Sequence, residues 1–215
     1  MWTPSTRCPM QVALALRDAL DIKTFVETGT AQGDTAFIAA GHFEWVVTTE
    51  IHEPALKVAK KHIERVKAPK PLDGATNIYA YLGDSLEVLP QIISPAFGHP
   101  YAVVDAPALF WLDAHYSGGP TKIGKTECPV IEEIQMIRRA NPKHCIFVDD
   151  MQIFCTAGAD RDAKMAGWSQ RPADWPSADA IIAAAKAEGP CFCMVREHIL
   201  FIVPPEMEKV VLENV

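Results

Sequence analysis

The sequence lacks any long apolar run. Hydrophobic residues make up 49% of its 215 positions, yet no uninterrupted apolar stretch reaches the roughly 18 residues that a membrane helix needs. The first residues contain no basic stretch followed by an apolar segment, which argues against a secretory signal. These absences predict a soluble cytoplasmic protein without a membrane partner.

Positive charge is also scarce. The chain has 20 Lys and Arg against 27 Asp and Glu, a formal net charge of −7, and no basic stripe is interleaved with aromatic residues. Because nucleic-acid surfaces depend on such stripes, we expect no nucleic-acid partner. One basic cluster recurs at the spacing of a solvated helix face, and it comprises Lys57, Lys60, Lys61, Arg65 and Lys67.

The six cysteines are spaced too irregularly for paired zinc ligands or for a small disulfide framework. We expect most of them to be reduced thiols in the core. Cys191 and Cys193 form the one local pair, and alternate positions on a strand place two side chains on the same face. We interpret this pair as packing rather than as a zinc or redox site.

Short β-branched or aromatic runs alternate with longer amphipathic stretches along the chain. This alternation predicts an α/β fold, in which a parallel sheet carries helices on both faces. Strands are expected at residues 24–27, 45–50, 78–82, 109–113 and 145–150, with a final hairpin over 192–203. Helices are expected at residues 10–20, 34–40, 53–66, 86–93, 130–139 and 178–187.

The length fits one α/β domain, so residues 1–215 are predicted to form a single domain. Residues 1–21 are expected to be its N-terminal helical extension. The segment 151–177 contains Trp168 and Trp175, and connections of this length commonly act as lids or substrate loops. We expect this segment to cover a binding site, with its tryptophans either stacking on a substrate ring or pinning the loop to the body.

A glycine-bearing turn joins the first predicted strand to the next helix. It runs from Glu27 to Gly33 and reads Glu-Thr-Gly-Thr-Ala-Gln-Gly. In open parallel sheets, ligands bind beyond the carboxyl ends of the strands, where a tight turn lets the backbone approach them closely. The nicotinamide fingerprint G-x-G-x-x-G is not met, because Asp34 occupies the place of its last glycine. Dinucleotide binding is therefore disfavoured.

Polar residues follow the neighbouring strands at the same edge. Glu50 ends the second strand, where its two carboxylate oxygens can bind the vicinal hydroxyls of a ribose. Glu27 can accept hydrogen bonds from the amino group of an amino-acid-like ligand, or it can orient the loop by accepting hydrogen bonds from the loop amides. Asp84 and Ser85 follow the third strand and can cap the next helix or bond the edge of an adenine.

In this order the residues resemble the first motif of the class I S-adenosylmethionine-dependent methyltransferases, an acidic residue followed by G-x-G-x-G. Glu27, Gly29 and Gly33 match it, whereas Ala31 replaces the middle glycine. The resemblance covers residues 23–203 and implies a Rossmann-like, seven-stranded, mostly parallel sheet with an antiparallel last strand. It also implies S-adenosylmethionine as the cofactor, bound by Glu27, Thr28, Gly29, Thr30, Gly33, Glu50, Asp84, Ser85 and Asp113.

Carboxylates also end the fourth and fifth predicted strands. Asp113 ends one of them, and Asp149 and Asp150 end its expected neighbour. Clustered carboxylates repel one another unless a cation neutralises them, and all-oxygen ligands suit magnesium rather than zinc. His115 can accept a hydroxyl proton, because an imidazole titrates at about pH 6.5. We therefore predict a magnesium site at Asp113, Asp149 and Asp150, with Asp113 and His115 as the catalytic residues.

This arrangement resembles the metal-dependent O-methyltransferases that tailor sugars and macrolides. The resemblance implies that a substrate hydroxyl binds the ion and loses its proton more readily. In a simpler interpretation, Asp113 only bonds the cofactor or its loop, while Asp149 and Asp150 cap the following turn. Glu132 and Glu133, in the preceding helix, are either further ligands or, as we favour, part of a solvated helix face.

The leading hypothesis is methyl transfer from S-adenosylmethionine to a hydroxyl oxygen of a small molecule, such as a sugar or a glycosylated metabolite, assisted by a divalent cation. One alternative is a nicotinamide-dependent oxidoreductase. Another is a catalytically silent nucleotide-binding or scaffold protein. A homodimer is a possible assembly for any of the three.

Overall fold

The computed structural model describes residues 3, 5–66, 77–94, 103, 105–116, 123–156, 158–159, 171–172 and 175–215. The strands within these ranges are β1 Thr24–Thr28, β2 Trp45–Glu50, β3 Ile78–Leu82, β4 Ala108–Leu112, β5 Cys145–Val148, β6 Gly158–Ala159, β7 Arg171–Pro172, β8 Phe192–Arg196 and β9 Ile199–Val203. The helices are α1 Met10–Leu20, α2 Asp34–Ala39, α3 Glu53–Val66, α4 Ser85–Ile92, α5 Val130–Ala140, α6 Met151–Phe154, α7 Ala178–Ala187 and α8 Glu208–Asn214.

Seven of the strands form one sheet in the order β3-β2-β1-β4-β5-β9-β8. Strands β1 to β5 pair in parallel, whereas β9 runs antiparallel to both β5 and β8. The predicted Rossmann-like sheet with an antiparallel last strand is therefore confirmed. The strand order reverses between β1 and β4, which is where open α/β sheets form a ligand crevice at their carboxyl edge.

Apolar side chains cover both faces of the sheet. On one face, residues of α1, α2 and α8 pack around Phe25, Leu109 and Trp111. On the other face, residues of α4, α5 and α7 pack around Val26 and Phe110. Strand β4 is buried along its whole length, which explains its uninterrupted apolar sequence. Each large side chain buried in these layers contributes about 1.5–3 kcal/mol relative to exposure.

The ends of β4 and β5 differ slightly from the prediction. Strand β4 ends at Leu112 and β5 ends at Val148, so Asp113, Asp149 and Asp150 lie just beyond the pleated segments. Their side chains are therefore not committed to alternate faces of the sheet. This freedom lets carboxylates from two adjacent strands turn toward the same edge.

The chain also continues past the predicted hairpin. A 3-10 turn at Pro205–Met207 leads into α8, which packs against α1. Helix α8 has 7 residues, too short a segment for apolar periodicity to distinguish it from a loop. The helix predicted over residues 10–20 is confirmed as α1. The single domain over residues 1–215 and the role of residues 1–21 as an extension remain predictions.

The predicted lid segment 151–177 begins with helix α6 rather than with a loop. Trp175 is buried and stacks on Phe154 of that helix, with ring centroids 5.8 Å apart and ring planes at 27°. Of the two roles considered for the tryptophans, Trp175 therefore pins the segment to the body. Trp168 lies outside the described residues, and the lid function of the segment remains a prediction.

Lys57, Lys60 and Lys61 are exposed, as expected of a solvated helix face. The side chain of Arg65 and the whole of Lys67 lie outside the described part of the chain. Within that part, no helix combines the length and the apolar character that a membrane crossing requires.

The cysteines are free thiols, but they divide by burial. Cys8, Cys128 and Cys145 are core residues, whereas Cys155 is exposed. Cys191 and Cys193 are half-buried with their Sγ atoms 3.5 Å apart, which places both side chains on one face as predicted. The expectation of core thiols is thus confirmed for three of the six.

Candidate active site

The turn after β1 is a tight loop held by backbone hydrogen bonds. The amides of Gly29 and Thr30 both donate to the carbonyl of Thr49, over 2.9 and 3.1 Å, and Gly33 N–H donates to the Thr30 carbonyl over 2.8 Å. Gly29 has a φ of +88°. A Cβ on Gly29 would overlap the backbone carbonyl of Asp113, so only glycine lets β1 and β4 approach so closely at their carboxyl ends.

Ala31, the residue that departs from the glycine pattern, takes a glycine-like conformation. Its φ is +45°, in the left-handed region. This conformation costs an L-residue about 1–2 kcal/mol. Its amide donates to Glu50 Oε2 over 2.9 Å, which offsets part of that cost.

Glu50 therefore holds the loop in place. Its second oxygen, Oε1, accepts the amide of His52 over 2.8 Å. A carboxylate has about four lone-pair positions, so each oxygen keeps one position for a further donor. In the described part of the chain two cavities border the loop, and Glu50 lines the larger of them.

Glu27 acts on the loop through hydroxyl groups rather than through amides. Thr48 Oγ1 donates to Glu27 Oε2 over 2.6 Å, and the same hydroxyl lies 2.6 Å from that of Thr30. Burial raises the pKa of Glu27 to about 8, although the hydrogen bond from Thr48 favours ionisation. Glu27 thus holds a proton near neutral pH. The bonding of loop amides, which we considered for Glu27, is carried out by Glu50.

Asp84 and Ser85 lie at the start of α4, beyond β3. Asp84 caps α4 through the amide of Leu86 over 2.9 Å, and its other oxygen accepts the amide of Lys125 over 2.6 Å. Both residues line the larger cavity. Asp84 is therefore the helix cap, and each of its oxygens keeps one lone-pair position, as in Glu50.

The larger cavity has a volume of about 570 Å³, which is within the range of small-molecule and cofactor sites. Its wall includes Gly29, Glu50, Ser85, Asp113 and His115. The side of the loop that faces α2 borders a smaller cavity of about 240 Å³. The two cavities share the loop and Asp113, while Glu27, Thr30 and Asp149 line only the smaller one.

Two of the predicted cofactor residues line neither cavity. Thr28 is fully buried beside Glu133 of α5. Gly33 faces α3, where a Cβ would come within 3.0 Å of the Ala59 Cβ, and its φ of +84° suits glycine. Thr28 and Gly33 thus contribute to the packing and conformation of the loop.

Asp113, His115 and Asp150 converge, and the first two line the larger cavity. His115 Nε2 lies 3.1 Å from Asp150 Oδ2, and His115 Nδ1 lies 3.8 Å from Asp113 Oδ1. One potential ligand atom from each of the three residues falls within 4.8 Å of the other two. A carboxylate can only accept, so Nε2 carries the proton of the bond to Asp150, and Nδ1 has the lone pair.

Further groups orient Asp150. Its Oδ1 accepts from Arg7 Nη1 over 2.7 Å and from Gln152 Nε2 over 2.6 Å. Burial opposes ionisation, but the hydrogen bonds from His115 and Gln152 hold the pKa of Asp150 at about 2. Asp150 is therefore ionised at neutral pH and lies beside the imidazole.

His115 is buried between aromatic rings. The rings of Phe154 and Trp175 meet it nearly edge-on, with centroids 5.8 and 5.5 Å away. Burial alone would lower the pKa of His115, but the hydrogen bond to Asp150 and the charge of Asp113 raise it above its ordinary value. Burial raises the pKa of Asp113 to about 7, against the opposing charge of His115.

Asp149, the third residue of the predicted ligand set, is not among the three residues whose potential ligand atoms lie within 4.8 Å of one another. Its side chain is buried, and its Oδ1 accepts the amide of Asp150 over 2.7 Å. Burial and the charge of Asp150 raise the pKa of Asp149 despite that hydrogen bond. The part of Asp149 in a metal site remains a prediction.

Two residues of the site were missed or misassigned from the sequence. Arg7 reaches Asp150 across 143 residues of sequence separation, and no local pattern indicates such a pairing. Glu133 was expected on a solvated helix face, but it is only 1% exposed, whereas Glu132 is exposed. The one available signal was helical spacing, because Glu133 shares the inner face of α5 with Val130 and Ile137.

No known protein-family model matches this chain, and no curated protein matches it. Solved structures do resemble it. Human methyltransferase-like protein 13 in complex with SAH matches 97% of this chain and 87% of its own, at 16% identity and a TM-score of 0.58. The O-methyltransferase from Bacillus cereus in complex with SAH matches 94% and 84%, at 16% identity and a TM-score of 0.55. Cofactor-bound Rv0187 from MTB matches 93% and 81%, at 18% identity and a TM-score of 0.56. Together with the sheet order, these likenesses show that the chain has the fold of the class I S-adenosylmethionine-dependent methyltransferases.

Proposed function

We propose that the protein transfers a methyl group from S-adenosylmethionine to a hydroxyl oxygen of a small molecule, such as a sugar or a glycosylated metabolite. One observation carries this proposal. The glycine loop, Glu50 and His115 border a single cavity of about 570 Å³ at the switch point of the sheet. A cofactor site and a proton acceptor therefore lie within reach of one ligand-sized space. The SAH complexes of the structural neighbours support the choice of cofactor.

The residues present suit this cofactor. Gly29 lines the cavity, and the remaining lone pairs of Glu50 suit two ribose hydroxyls. We assign Asp84 and Ser85, which line the same cavity, to the adenine edge. Glu27, in the adjoining smaller cavity, is placed for the amino-acid end. When bound, S-adenosylmethionine supplies the reactive methyl group.

The pair formed by His115 and Asp150 would remove the proton of the acceptor. Asp150 fixes the imidazole tautomer through Nε2, so Nδ1 is the atom that accepts a hydroxyl proton. Arg7 and Gln152 hold Asp150, while the rings of Phe154 and Trp175 hold the imidazole. These contacts fix the base before an acceptor arrives, so that positioning provides much of the rate.

A divalent cation is a second candidate at the same place, because Asp113, His115 and Asp150 bring two oxygens and one nitrogen together. The donor set fits a cation in type and spacing. An imidazole among the ligands admits manganese as well as magnesium. When bound, the ion would lower the pKa of an acceptor hydroxyl. Asp149, which was predicted as a ligand, is not part of this set.

Calorimetric titration with S-adenosylhomocysteine tests the cofactor assignment. The titration is made in MgCl2, in MnCl2 and in EDTA, and we expect saturable binding in each. The absence of heat in all three would refute the proposal. Hydride exchange with a nicotinamide would instead favour the oxidoreductase alternative.

Transfer of a labelled methyl group to a panel of sugars, glycosides and phenols tests the chemistry. Removing a general base typically costs about 10²–10⁴ in rate, so we expect His115→Asn to lower kcat by at least about 100-fold with little change in S-adenosylhomocysteine affinity. The exposed His198 provides the control variant His198→Asn. If EDTA abolishes transfer and manganese or magnesium restores it, the ion-assisted version is the correct one.

A further inference from the structure

Two cysteine thiols touch at the edge of the sheet. Cys191 and Cys193 flank Phe192, the first residue of β8, and β8 is the last strand in the order of the sheet. Their Sγ atoms are 3.5 Å apart, and both side chains are half-buried. The sequence indicated only packing for this pair, and the structure adds a direct contact between the two sulfur atoms. The proposed methyl transfer uses neither residue.

The backbone before Cys191 is held in place by a buried arginine. Arg138 donates to the carbonyls of Gly189 and Pro190 over 3.1 and 3.0 Å. Lys186 and Arg138 also place positive charge near Cys193. Positive charge favours the thiolate form of a cysteine, and the thiolate is the nucleophile in disulfide exchange. The two thiols are therefore held together in surroundings that suit this chemistry.

The two thiols have different roles in such a reaction. Burial raises the pKa of Cys193 to about 12, and the charge of Cys191 and the hydrogen bond with it act in the same direction. Cys193 therefore keeps its proton and donates it to Sγ of Cys191 when that atom is ionised. Cys191 is thus the nucleophile, and Cys193 is the thiol that resolves a mixed disulfide.

The spacing of the pair suits a disulfide that is easily reduced. Two residues of an extended chain span about 6.6 Å between their Cα atoms, and disulfides join Cα atoms about 4.4–6.8 Å apart. A bond near the upper limit is strained, so thiols reduce it readily. A metal suits the pair less well. Among the described residues, no third His, Cys, Asp or Glu joins the two cysteines in a metal-binding cluster.

We propose that Cys191 and Cys193 form a reversible redox pair that small-molecule disulfides such as oxidised glutathione convert to an internal disulfide. The Cys191 thiolate attacks one sulfur of the oxidant, so that a mixed disulfide forms and one glutathione leaves as a thiolate, which takes up a proton. Cys193 then loses its proton and attacks Sγ of Cys191, which breaks the mixed disulfide and releases the second glutathione. The cysteines lose two electrons and two protons, and oxidised glutathione gains them as two thiols.

Peptide mapping of the full chain tests this proposal. The protein is incubated with oxidised glutathione at about pH 8, where thiolates form, and the remaining thiols are blocked with iodoacetamide. Trypsin then releases residues 187–196, in which Cys191 and Cys193 are the two cysteines. We expect most of this peptide to have lost two hydrogen atoms, and an excess of reduced glutathione to restore both thiols.

Two serine variants separate the steps of the exchange. Cys193→Ser should stop at the mixed disulfide on Cys191. Cys191→Ser lacks the nucleophile, so Cys193 should take up glutathione at least about tenfold more slowly. If the variants do not fold, the mapping of the wild type decides alone.

Cys155 is exposed and provides the internal control. The concentration of oxidised glutathione is raised until Cys155 carries glutathione, which shows that the oxidant has reacted with the protein. If residues 187–196 then keep both thiols, or carry glutathione without an internal disulfide, the proposal is wrong. Either result leaves the proposed methyl transfer untouched, because the pair lines neither of the two cavities.

Discussion

Ala31 donates its backbone amide to Glu50 over 2.9 Å while holding a left-handed φ of +45°. A strained residue of the loop is thus tied to the acidic residue that ends the neighbouring strand. Because Glu50 also accepts the amide of His52, one side chain fixes both the glycine loop and the start of the segment after β2. The shape of the candidate cofactor site therefore depends on Glu50 even before a ligand binds.

Replacing Glu50 with glutamine should destabilise the protein. The new amide group must present a donor to the N–H of either Ala31 or His52, and losing a hydrogen bond to a charged group costs about 1.5–3 kcal/mol. We expect that decrease in the free energy of unfolding, measured by urea denaturation. The control is Glu53→Gln, an exposed residue paired with Lys57. It should unfold like the wild type, and an equal loss in both variants would contradict the role of Glu50.

Replacing Ala31 with glycine should slightly stabilise the protein. Glycine adopts the left-handed conformation without strain, which raises the free energy of unfolding by about 1–2 kcal/mol. The greater freedom of glycine in the unfolded chain lowers it by about 0.5–1 kcal/mol. We expect a net gain of roughly 0.5 kcal/mol in urea denaturation. Ala183→Gly, at an exposed position inside α7, should instead cost about 1 kcal/mol. A loss at Ala31 as large as that at Ala183 would show that the loop is not strained.

The elements of the sheet could be predicted because their signals are local. The apolar run of β4 and the glycines at Gly29 and Gly33 indicate a strand and a turn without reference to the rest of the chain. Strand order followed only from the resemblance to a known fold. Helix α8 escaped prediction because its few residues gain their helical structure from packing on α1.

The site was predicted less completely, because its contacts join distant segments. The convergence of Asp113 and Asp150 follows from two adjacent parallel strands, and their adjacency was expected from the resemblance to a known fold. The exclusion of Asp149 did not follow, since it depends on the left-handed conformation of Asp150, whose φ is +57°. The contact of Arg7 depends on tertiary packing that no spacing reveals, whereas the helical spacing of Glu133 with Val130 and Ile137 was a signal of its burial.

The buried His144 should make the stability of the protein depend on pH. Its Nδ1 accepts the amide of Ala108 over 3.0 Å, and its ring is fully buried against Phe110. Burial and the charge of Arg138 lower the pKa of His144 to about 4. In the unfolded chain the pKa of a histidine is about 6.5. Between about pH 6.5 and pH 4 the unfolded state therefore binds more protons than the folded state does, and stability falls as the pH falls.

His144→Asn keeps an acceptor near the position of Nδ1 but cannot titrate. Between pH 7 and pH 4, the wild type should lose roughly 3 kcal/mol relative to this variant, in urea denaturation at each pH. His198→Asn, at an exposed position, serves as the control and should follow the wild-type profile. Parallel profiles for the wild type and His144→Asn would show that His144 is not held neutral in the native state.

Two adjacent arginines on α5 should differ sharply in their effect on stability. Arg138 is 1% exposed and donates to the carbonyls of Pro142, Gly189 and Pro190 over 3.0–3.1 Å. These bonds fasten the end of α5 to the segment before β8. Replacing Arg138 with leucine leaves three carbonyls without this donor, so we expect a loss of about 3 kcal/mol in the free energy of unfolding.

The matched variant is Arg139→Leu. Arg139 is exposed and pairs with Glu188 at 2.6 Å, and surface ion pairs contribute little because water and salt screen them. Its unfolding midpoint in urea should stay close to that of the wild type, while that of Arg138→Leu falls. Equal midpoints for the two variants would show that the buried guanidinium does not hold α5 in place.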